Sequence, residues 1–378
     1  MNEKLERIFD LLAPGKPIRK GIDRIMEANL GALLFFCSQP EKYLKEGLIH
    51  LGFRLDSDFL PEKIYELSKM DGAIVLNYDG TKILAANTQL NPDKNIPSSE
   101  TGMRHKTAEK VSIQTGDLTV AVSKRRNIVS VYYNKIKYEL LPENVLFARL
   151  NQEITIAQRY RQNFMNLLDY LNIEEARGNV SLSDVVEILS KGLLTIKIVQ
   201  KAEKYLLELG EIAGSAKLEY EEILRTIPKD VGAVIMDYSS ENLKYQKPED
   251  ATDIFKELDV NDLVDPFTIA KTLGYIDVSS EDDLEETTLT SRGYRILYST
   301  RLPTTAVKKV VESFKNLQEL MNATFEELTN VSGIGKRRAE IILGALNKKK
   351  REKEELEQES PQVIINNDKE EANYRVSS

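Results

Sequence analysis

The apolar spacing of this 378-residue chain changes character near Pro142, so one uniform architecture cannot hold the whole of it. Up to that point helical and strand patterns alternate. Leu5 to Leu12 and Ile18 to Ala28 carry helical spacing, and Pro61 to Met70 reads as a helix opened by proline. Ala73 to Leu76 and Lys82 to Ala85 are short apolar runs around Tyr78-Asp79-Gly80, a hairpin signal. Leu118 to Val122 and Ile128 to Tyr133 continue the strand pattern, with Arg104 to Gln114 helical before them. Leu30 to Cys37 reads as a buried strand or helix. Beyond Pro142 strand signals fade and long helical stretches follow: Asn151 to Leu171, Ser183 to Leu189 and Leu194 to Leu209. Val231 to Met236 reads as a short extended segment. The length exceeds one ordinary core. The expected fold is an α+β/α multidomain chain: a mixed α/β domain with a central sheet over 1–145, a helical linker over 146–290, a small all-α module over 291–347, and a charged, disordered tail over 348–378.

The net charge of −8 argues against nucleic acid as a partner, but the distribution reverses that locally. Ser291 to Arg351 holds 13 Lys or Arg against 5 Asp or Glu, whereas Glu241 to Glu286 holds 4 against 14. A basic module behind an acidic connector is the asymmetry expected when one end meets phosphate. A solvated, highly charged helical region gives the same numbers. The single cysteine, Cys37, excludes an internal disulfide framework and cysteine-based metal sites, and a reducing cytoplasm fits it. No run of 18 apolar residues occurs and no apolar signal region follows the charged start, so no membrane partner is expected.

The sharpest motif runs from Leu328 through Val331, Gly333-Ile334-Gly335, Lys336-Arg337-Arg338 and Ala339 to Ile342. Thr324 with Glu327 makes a capping box for the preceding short helix. Gly333 and Gly335 permit positive φ and leave backbone N–H groups exposed at the next helix start, where they and the helix dipole hold a phosphate oxygen without reading a base. Lys336, Arg337 and Arg338 add charge in the same turn, and Ala339 and Ile342 pack that helix on its neighbour. A simple glycine turn is the plain alternative. The pattern resembles the helix–hairpin–helix motif, which grips duplex backbone without sequence preference.

Three N-terminal segments bear chemistry. Asp71-Gly72-Ala73 lies between a predicted helix and a strand and can place a carboxylate at the mouth of a sheet. Gly102-Met103-Arg104-His105-Lys106-Thr107 opens the next helix, and its guanidinium, imidazole and hydroxyl suit a triphosphate. Ser123 to Asn127 follows a strand and adds Arg126 to the positive charge. Taken singly, Asp-Gly is a common turn and the basic residues after Ser123 mark a hairpin. Cations at a helix start oppose its dipole unless an anion is present.

In order and spacing these segments resemble the diadenylate cyclase family, whose signature pairs Asp-Gly-Ala with an Arg-His-Arg run. The helix–hairpin–helix, together with Ser291-Arg292-Gly293-Tyr294-Arg295 and Arg301-Leu302-Pro303, narrows the resemblance to the family's DNA-integrity scanning branch, over residues 1 to about 347. The resemblance implies that two ATP condense to cyclic di-AMP with loss of two pyrophosphates. It implies that Asp71 binds the catalytic Mg²⁺ or Mn²⁺ and that Gly72 permits close backbone approach. It places Leu90 against the adenosine, and Met103, Arg104, His105, Lys106, Thr107, Ser123 and Arg126 around the phosphates, with Asp71, Arg104 and His105 as the catalytic set. It implies Gly333, Gly335, Lys336, Arg337 and Arg338 on DNA, branched or recombination-junction DNA as partner, a homo-octamer, and a cytoplasmic, nucleoid-associated location.

Met103 stands where that family usually has threonine, and Lys106 replaces the second arginine, keeping charge but losing bidentate geometry. Ser299-Thr300 replaces a usual Ile-Pro. Three other readings compete: a DNA-architecture protein with a catalytically inactive nucleotide-binding domain, a polymerase-like enzyme on Asp56 and Asp58, and a glycosylase. The second lacks a Gly-Ser phosphate loop and a third carboxylate, so Asp56-Ser57-Asp58 reads as a loop; the third lacks an Asp between Gly335 and Asn367.

Overall fold

Strand β1 (Ala32–Cys37) is buried along its whole length because it lies mid-sheet with helices on both faces. In the computed structural model, which describes residues 2–240, 245, 247–351 and 354, alternate β1 side chains divide between two cores. Leu34 and Phe36 face one layer, while Leu33, Phe35 and Cys37 face the other. Burying each phenylalanine stabilises the fold by roughly 1.5–3 kcal/mol. The other strands are β2 (Ile49–His50), β3 (Phe53–Asp58), β4 (Ala73–Asn77), β5 (Lys82–Leu90), β6 (Thr119–Ser123), β7 (Ile128–Tyr133) and β8 (Ile136–Leu140). They run in the order β2-β5-β4-β1-β6-β7-β8, with β3 added on β5. Only β1 and β4 pair in parallel among these neighbours; the remaining pairs are antiparallel. One face packs on Ile8, Leu12, Ile22, Ile25 and Ile64 from helices Asn2–Leu12, Pro17–Glu27 and Pro61–Leu67. The other packs on Tyr43, Ala108 and Val111, the last two from helix Met103–Thr115.

The expected elements of this region form, with four additions, the helix Pro40–Lys45 and strands β2, β3 and β8. β3 is exposed at nearly every position, so apolar spacing gave no sign of it. It holds Asp56 and Asp58, which therefore lie on an edge strand and not in a loop: Asp56 takes φ +46° where the register shifts, and it accepts from Arg54 Nε at 2.6 Å. β8 follows a two-residue turn in which Asn134 and Lys135 both have positive φ, the backbone sense that matches strand twist.

The described residues form two compact units, one drawn from 1–152 with 202–218 and the other from 153–201 with the described residues after 218. The second unit is helical. Asn151 to Leu171 falls within helix Glu143–Arg177, and the two stretches from Ser183 to Leu209 form one helix, Leu182–Leu209. Val231 to Met236 is not extended. It lies in helix Gly214–Tyr238, with Pro228 inside it. A β-branched run behind a proline imitates a strand, but Val231, Val234, Ile235 and Tyr238 recur at helical spacing and all lie in the helical core.

The C-terminal module has its own core, including Val307, Val310, Leu320, Leu328, Ala339 and Ile342. It docks on the helical core through charge. The Asp237 carboxylate accepts the backbone N–H of Tyr294 at 2.6 Å and of Arg295 at 3.1 Å. Arg295 Nη2 donates to Asn172 at 2.9 Å and Glu175 at 2.8 Å. The last helix runs from 336 to 351, so the charged run at 348 does prolong it; the tail from 355 onward lies outside the described residues.

Candidate active site and nucleic-acid interface

Strand directions bring the N-terminal candidates together. β1 and β4 are parallel, so their starts share one end of the sheet, and antiparallel β6 finishes there: Ala32 faces Val122. Ala73 opens β4 opposite Thr88 near the end of β5. Asp71 and Gly72, the Ser123–Ile128 turn and Leu90 therefore gather at this one end. Asp71 is exposed, immediately before a strand buried from Ala73 to Leu76. Gly72 has φ +89°, and a Cβ on it would meet the backbone of Asn87 and Thr88 at 2.8–3.0 Å. Only glycine fits that approach. Leu90 is 8% exposed and pairs with Ile49, so it belongs largely to the core with one edge available.

Helix Met103–Thr115 starts at Gly102, which provides no side-chain cap. Its leading N–H groups, except that of Lys106 bonded to Gly102 at 2.8 Å, have no intrahelical acceptor to bond. Met103 is 78% exposed, and Arg104 and Lys106 are exposed beside it, with Thr107 half-buried. Arg104 lies along Gly31: a Cβ there would sit 2.7 Å from Arg104 Nη1 and 3.3 Å from the Val122 carbonyl. Gly31, which belongs to no sequence motif, thus makes room for the guanidinium beside the β6 end.

His105 is 4% exposed, and its buried Nε2 has no hydrogen-bond partner. Burial pushes its pKa below the ordinary 6.5, against the pull of nearby Glu100. A neutral imidazole with an unused buried nitrogen is poised to hydrogen-bond a ligand.

Glu100 is a further residue that sequence reasoning missed. Its side chain is 5% exposed and takes Lys137 Nζ at 2.7 Å, the Tyr132 hydroxyl at 2.9 Å and Arg126 Nη2 at 3.7 Å. Burial alone would raise its pKa, but the bonds from Lys137 and Tyr132 hold it below the ordinary value. Lys137 lies on β8, the unforeseen strand. The loop before the helix is tied down as well: Ser99 N donates to Glu109 at 3.1 Å, and Lys110 Nζ to the Lys94 carbonyl at 2.8 Å. Arg126 N bonds the Ser123 hydroxyl at 3.2 Å, which shapes the basic turn.

Among the described residues no three His, Cys, Asp or Glu side chains cluster to hold a metal ion. Asp71 is the carboxylate that the sequence motifs supply at the sheet end, since Glu100 there is already engaged by Lys137 and Arg126. That set fits a Mg²⁺-like ion, which takes one or two carboxylates and fills its octahedron with substrate phosphate oxygens and water.

In the C-terminal module, the Thr324–Glu327 capping box forms, with Glu327 N to Thr324 Oγ1 at 3.2 Å and Thr324 N to Glu327 at 2.7 Å. Of the two hairpin glycines only Gly333 has positive φ, +89°; Gly335 does not. Ile334 is 3% exposed and anchors the hairpin, leaving Gly333, Gly335, Lys336, Arg337 and Arg338 on the surface. No atom lies within 4 Å of a Cβ built on Gly335, so nothing within the chain requires its lack of a side chain. Arg338 Nη1 donates to the Gly333 carbonyl at 2.6 Å and braces the turn. Lys309 joins this face through Ser332 at 3.3 Å.

Comparison with known proteins agrees with this layout. A family model described as DisA bacterial checkpoint controller nucleotide-binding matches residues 19–136, one described as its linker region matches 140–281, and a helix-hairpin-helix motif matches 303–353. A DNA integrity scanning protein DisA from Thermotoga petrophila is 41% identical over 353 residues, covering 93% of this chain and 98% of that protein. The chain belongs to the DisA family. A member from Clostridium botulinum is 36% identical over 92% of this chain and 96% of its own length. The sheet end described above lies in the family's nucleotide-binding domain, and the glycine hairpin lies in its helix–hairpin–helix. Among the described residues no helix is long and apolar enough to cross a membrane.

Proposed function

We propose that this chain is a diadenylate cyclase that condenses two ATP into cyclic di-AMP and releases two pyrophosphates, and that it binds DNA backbone through its C-terminal hairpin. The observation that carries the reading is the convergence, at one end of one sheet, of Asp71, the cap-free helix start bearing Arg104 and His105, and the Ser123–Arg126 turn. In each half-reaction the 3′-oxygen of one nucleotide attacks the α-phosphorus of the other. The P–O bond to the β-phosphate breaks, pyrophosphate leaves with the electron pair, and the hydroxyl proton passes to solvent or a nearby base.

In this reading Asp71 holds the Mg²⁺ or Mn²⁺ and orients the attacking hydroxyl. A bound divalent ion lowers the hydroxyl's pKa and neutralises charge on the phosphates. Gly72 lets the nucleotide approach the β4–β5 backbone, and Leu90 offers its exposed edge to the adenosine. Arg104, resting in the space above Gly31, places two donors on a phosphate. Neutral His105 donates from its buried nitrogen to a phosphate oxygen. Met103, Lys106, Thr107, Ser123 and Arg126 border the phosphates. Glu100 keeps Arg126 and Lys137 from turning into solvent.

One such site holds one ATP, so two chains must face each other, and an octamer of such pairs, as the family resemblance implies, satisfies this. Gly333, Gly335 and Lys336 to Arg338 take phosphate oxygens, which gives affinity without sequence preference. Several modules in one assembly would favour branched DNA such as a recombination junction. The relatives' name, DNA integrity scanning protein, accords with a checkpoint role, and a cytoplasmic, nucleoid-associated location goes with it. Incubation of the full chain with ATP and Mg²⁺, with mass identification of products, tests the reading; ATP returned intact, or hydrolysed to linear products alone, would overturn it.

A further inference from the structure

A cavity of about 650 Å³ opens between the helical core of the second unit and the C-terminal module. Its volume lies within the range of roughly 300–1,000 Å³ typical of small-molecule sites. Lys229, Arg295, Arg301, Lys348 and Lys349 line it, against the carboxylates of Asp230 and Glu249. Behind the wall, Glu175 engages Arg295 at 2.8 Å and Lys349 at 3.5 Å, and Asp237 lies 3.9 Å from Arg295. Lys229 stands 4.0 Å from Glu249. Arg295 and Lys349 are thus engaged by carboxylates on the inner side, and Arg301 and Lys348 stand exposed at the rim.

Three further features distinguish this cavity from a packing gap. Arg295 Nη1 and the Tyr298 hydroxyl, both on lining residues, are buried without a hydrogen-bond partner. Unmet buried donors are rare in native folds and mark places where an acceptor belongs. Arg301 has φ +57°, a strained conformation for a long side chain and one that collects at ligand clamps. The Tyr298 ring, held by stacking on Tyr294 at 6.1 Å between centroids, gives the wall a fixed aromatic surface.

We propose that this cavity is a second nucleotide site, which takes a phosphorylated nucleoside with its phosphates toward Arg301 and Lys348 and its base along the Tyr298 ring. Cations at the rim, buried donors and an aromatic face are the combination that a phosphate joined to a planar base requires. Every lining residue belongs to the second unit, whereas the sheet-end residues all belong to the first. The site is therefore independent of the cyclase reading. Its walls come from both the helical core and the DNA module, so an occupant stabilises their docked arrangement by binding it preferentially.

The test is equilibrium dialysis of the full-length protein with α,β-methylene-ATP, a non-reacting probe. The expected result is two equivalents per chain, one of which falls in affinity by about tenfold or more in the double variant Arg301→Glu, Lys348→Glu. A single equivalent lost in the variant still supports this cavity and tells against the sheet-end site instead. Two equivalents undiminished in the variant, or one that the variant leaves unchanged, overturn the proposal. So does displacement of the affected equivalent by an equal concentration of pyrophosphate, which would reveal an anion site indifferent to the nucleoside. Photolabelling of the wild-type chain with 8-azido-ATP gives a check that needs no variant: label is expected between 294 and 304, and its confinement to the first unit overturns the proposal as well.

Discussion

In the proposed reaction Asp71 is the residue on which the chemistry turns, and it is exposed, so replacing it costs the fold little. Asp71→Asn is expected to cut cyclic di-AMP formation by about 10²-fold or more, with an unchanged melting temperature; retained turnover in the folded variant removes Asp71 from the mechanism. Gly31→Val is the sharper geometric test, because it puts carbon 2.7 Å from where Arg104 Nη1 now sits. Displacing that guanidinium by even an ångström is expected to lower kcat/KM by about 10²-fold, and an unaffected rate would detach Arg104 from the phosphates. His105 sets a pH dependence whose sign follows from its burial. Its folded pKa lies below 6.5, so protons favour the unfolded chain; the associated stability is complete above about pH 6.5 and is lost as pH falls toward the folded value. The melting temperature is expected to drop between pH 7.5 and 5.5, and to drop less in His105→Gln, since Glu100 titrates only below its ordinary 4.5. Asp71, Gly72, Arg104 and His105 stood out as candidates in the sequence because they sit in dense short motifs. Gly31, Glu100 and Lys137 did not, since what makes them matter is a neighbour remote in sequence.

At the scale of elements, helix starts differ in a telling way. The helix that begins at Phe325 is closed by its own Thr324–Glu327 box, whereas the helix that begins at Met103 has no side-chain cap and the one that begins at 336 opens on three cations. The first is closed by its own side chains, and the proposed function assigns anions to the other two. Thr324→Ala is therefore expected to destabilise the module by about 1 kcal/mol, whereas neutralising Lys336, Arg337 and Arg338 should cost no more than the roughly 1 kcal/mol of the Arg338 bond to the Gly333 carbonyl. That triple variant should weaken duplex binding and flatten its salt dependence by about one unit of slope for each phosphate no longer neutralised; unchanged affinity and slope would move the DNA elsewhere. β6 and the helix at Met103 were readable from the sequence pattern, whereas β1, buried at every position, showed as an apolar run that could be strand or helix. β3 buries almost nothing and left no such trace, and the helix through Pro228 imitated a strand because proline and β-branched residues speak against a helix locally while tertiary packing overrides them.

At the scale of the whole molecule, two ends of one chain carry different family domains, and the proposed cyclase reaction calls for a partner chain. Turnover per chain is expected to fall on dilution as the paired assembly dissociates, and a verified monomer with full activity would contradict face-to-face pairing. Saturating junction DNA is expected to lower cyclic di-AMP production more than saturating linear duplex does, and the effect should vanish when Lys336 to Arg338 are neutralised; equal rates under confirmed binding would mean that the two ends are merely carried together. The division of labour was visible in the sequence as a shift in charge, 13 basic to 5 acidic residues over 291–351 behind 4 to 14 over 241–286. The cavity between the module and the helical core was not, because its walls come from segments far apart in the chain, such as Leu168 and Asn172 on one side and Arg301 and Lys348 on the other. The expectations at the sheet end rest on the reaction itself. The most direct measurement is mass analysis of the full-length chain incubated with ATP and Mg²⁺, beside Asp71→Asn: the account predicts cyclic di-AMP and two pyrophosphates per product from the native chain and almost none from the variant, and a native chain that binds ATP yet yields no cyclic dinucleotide would contradict it.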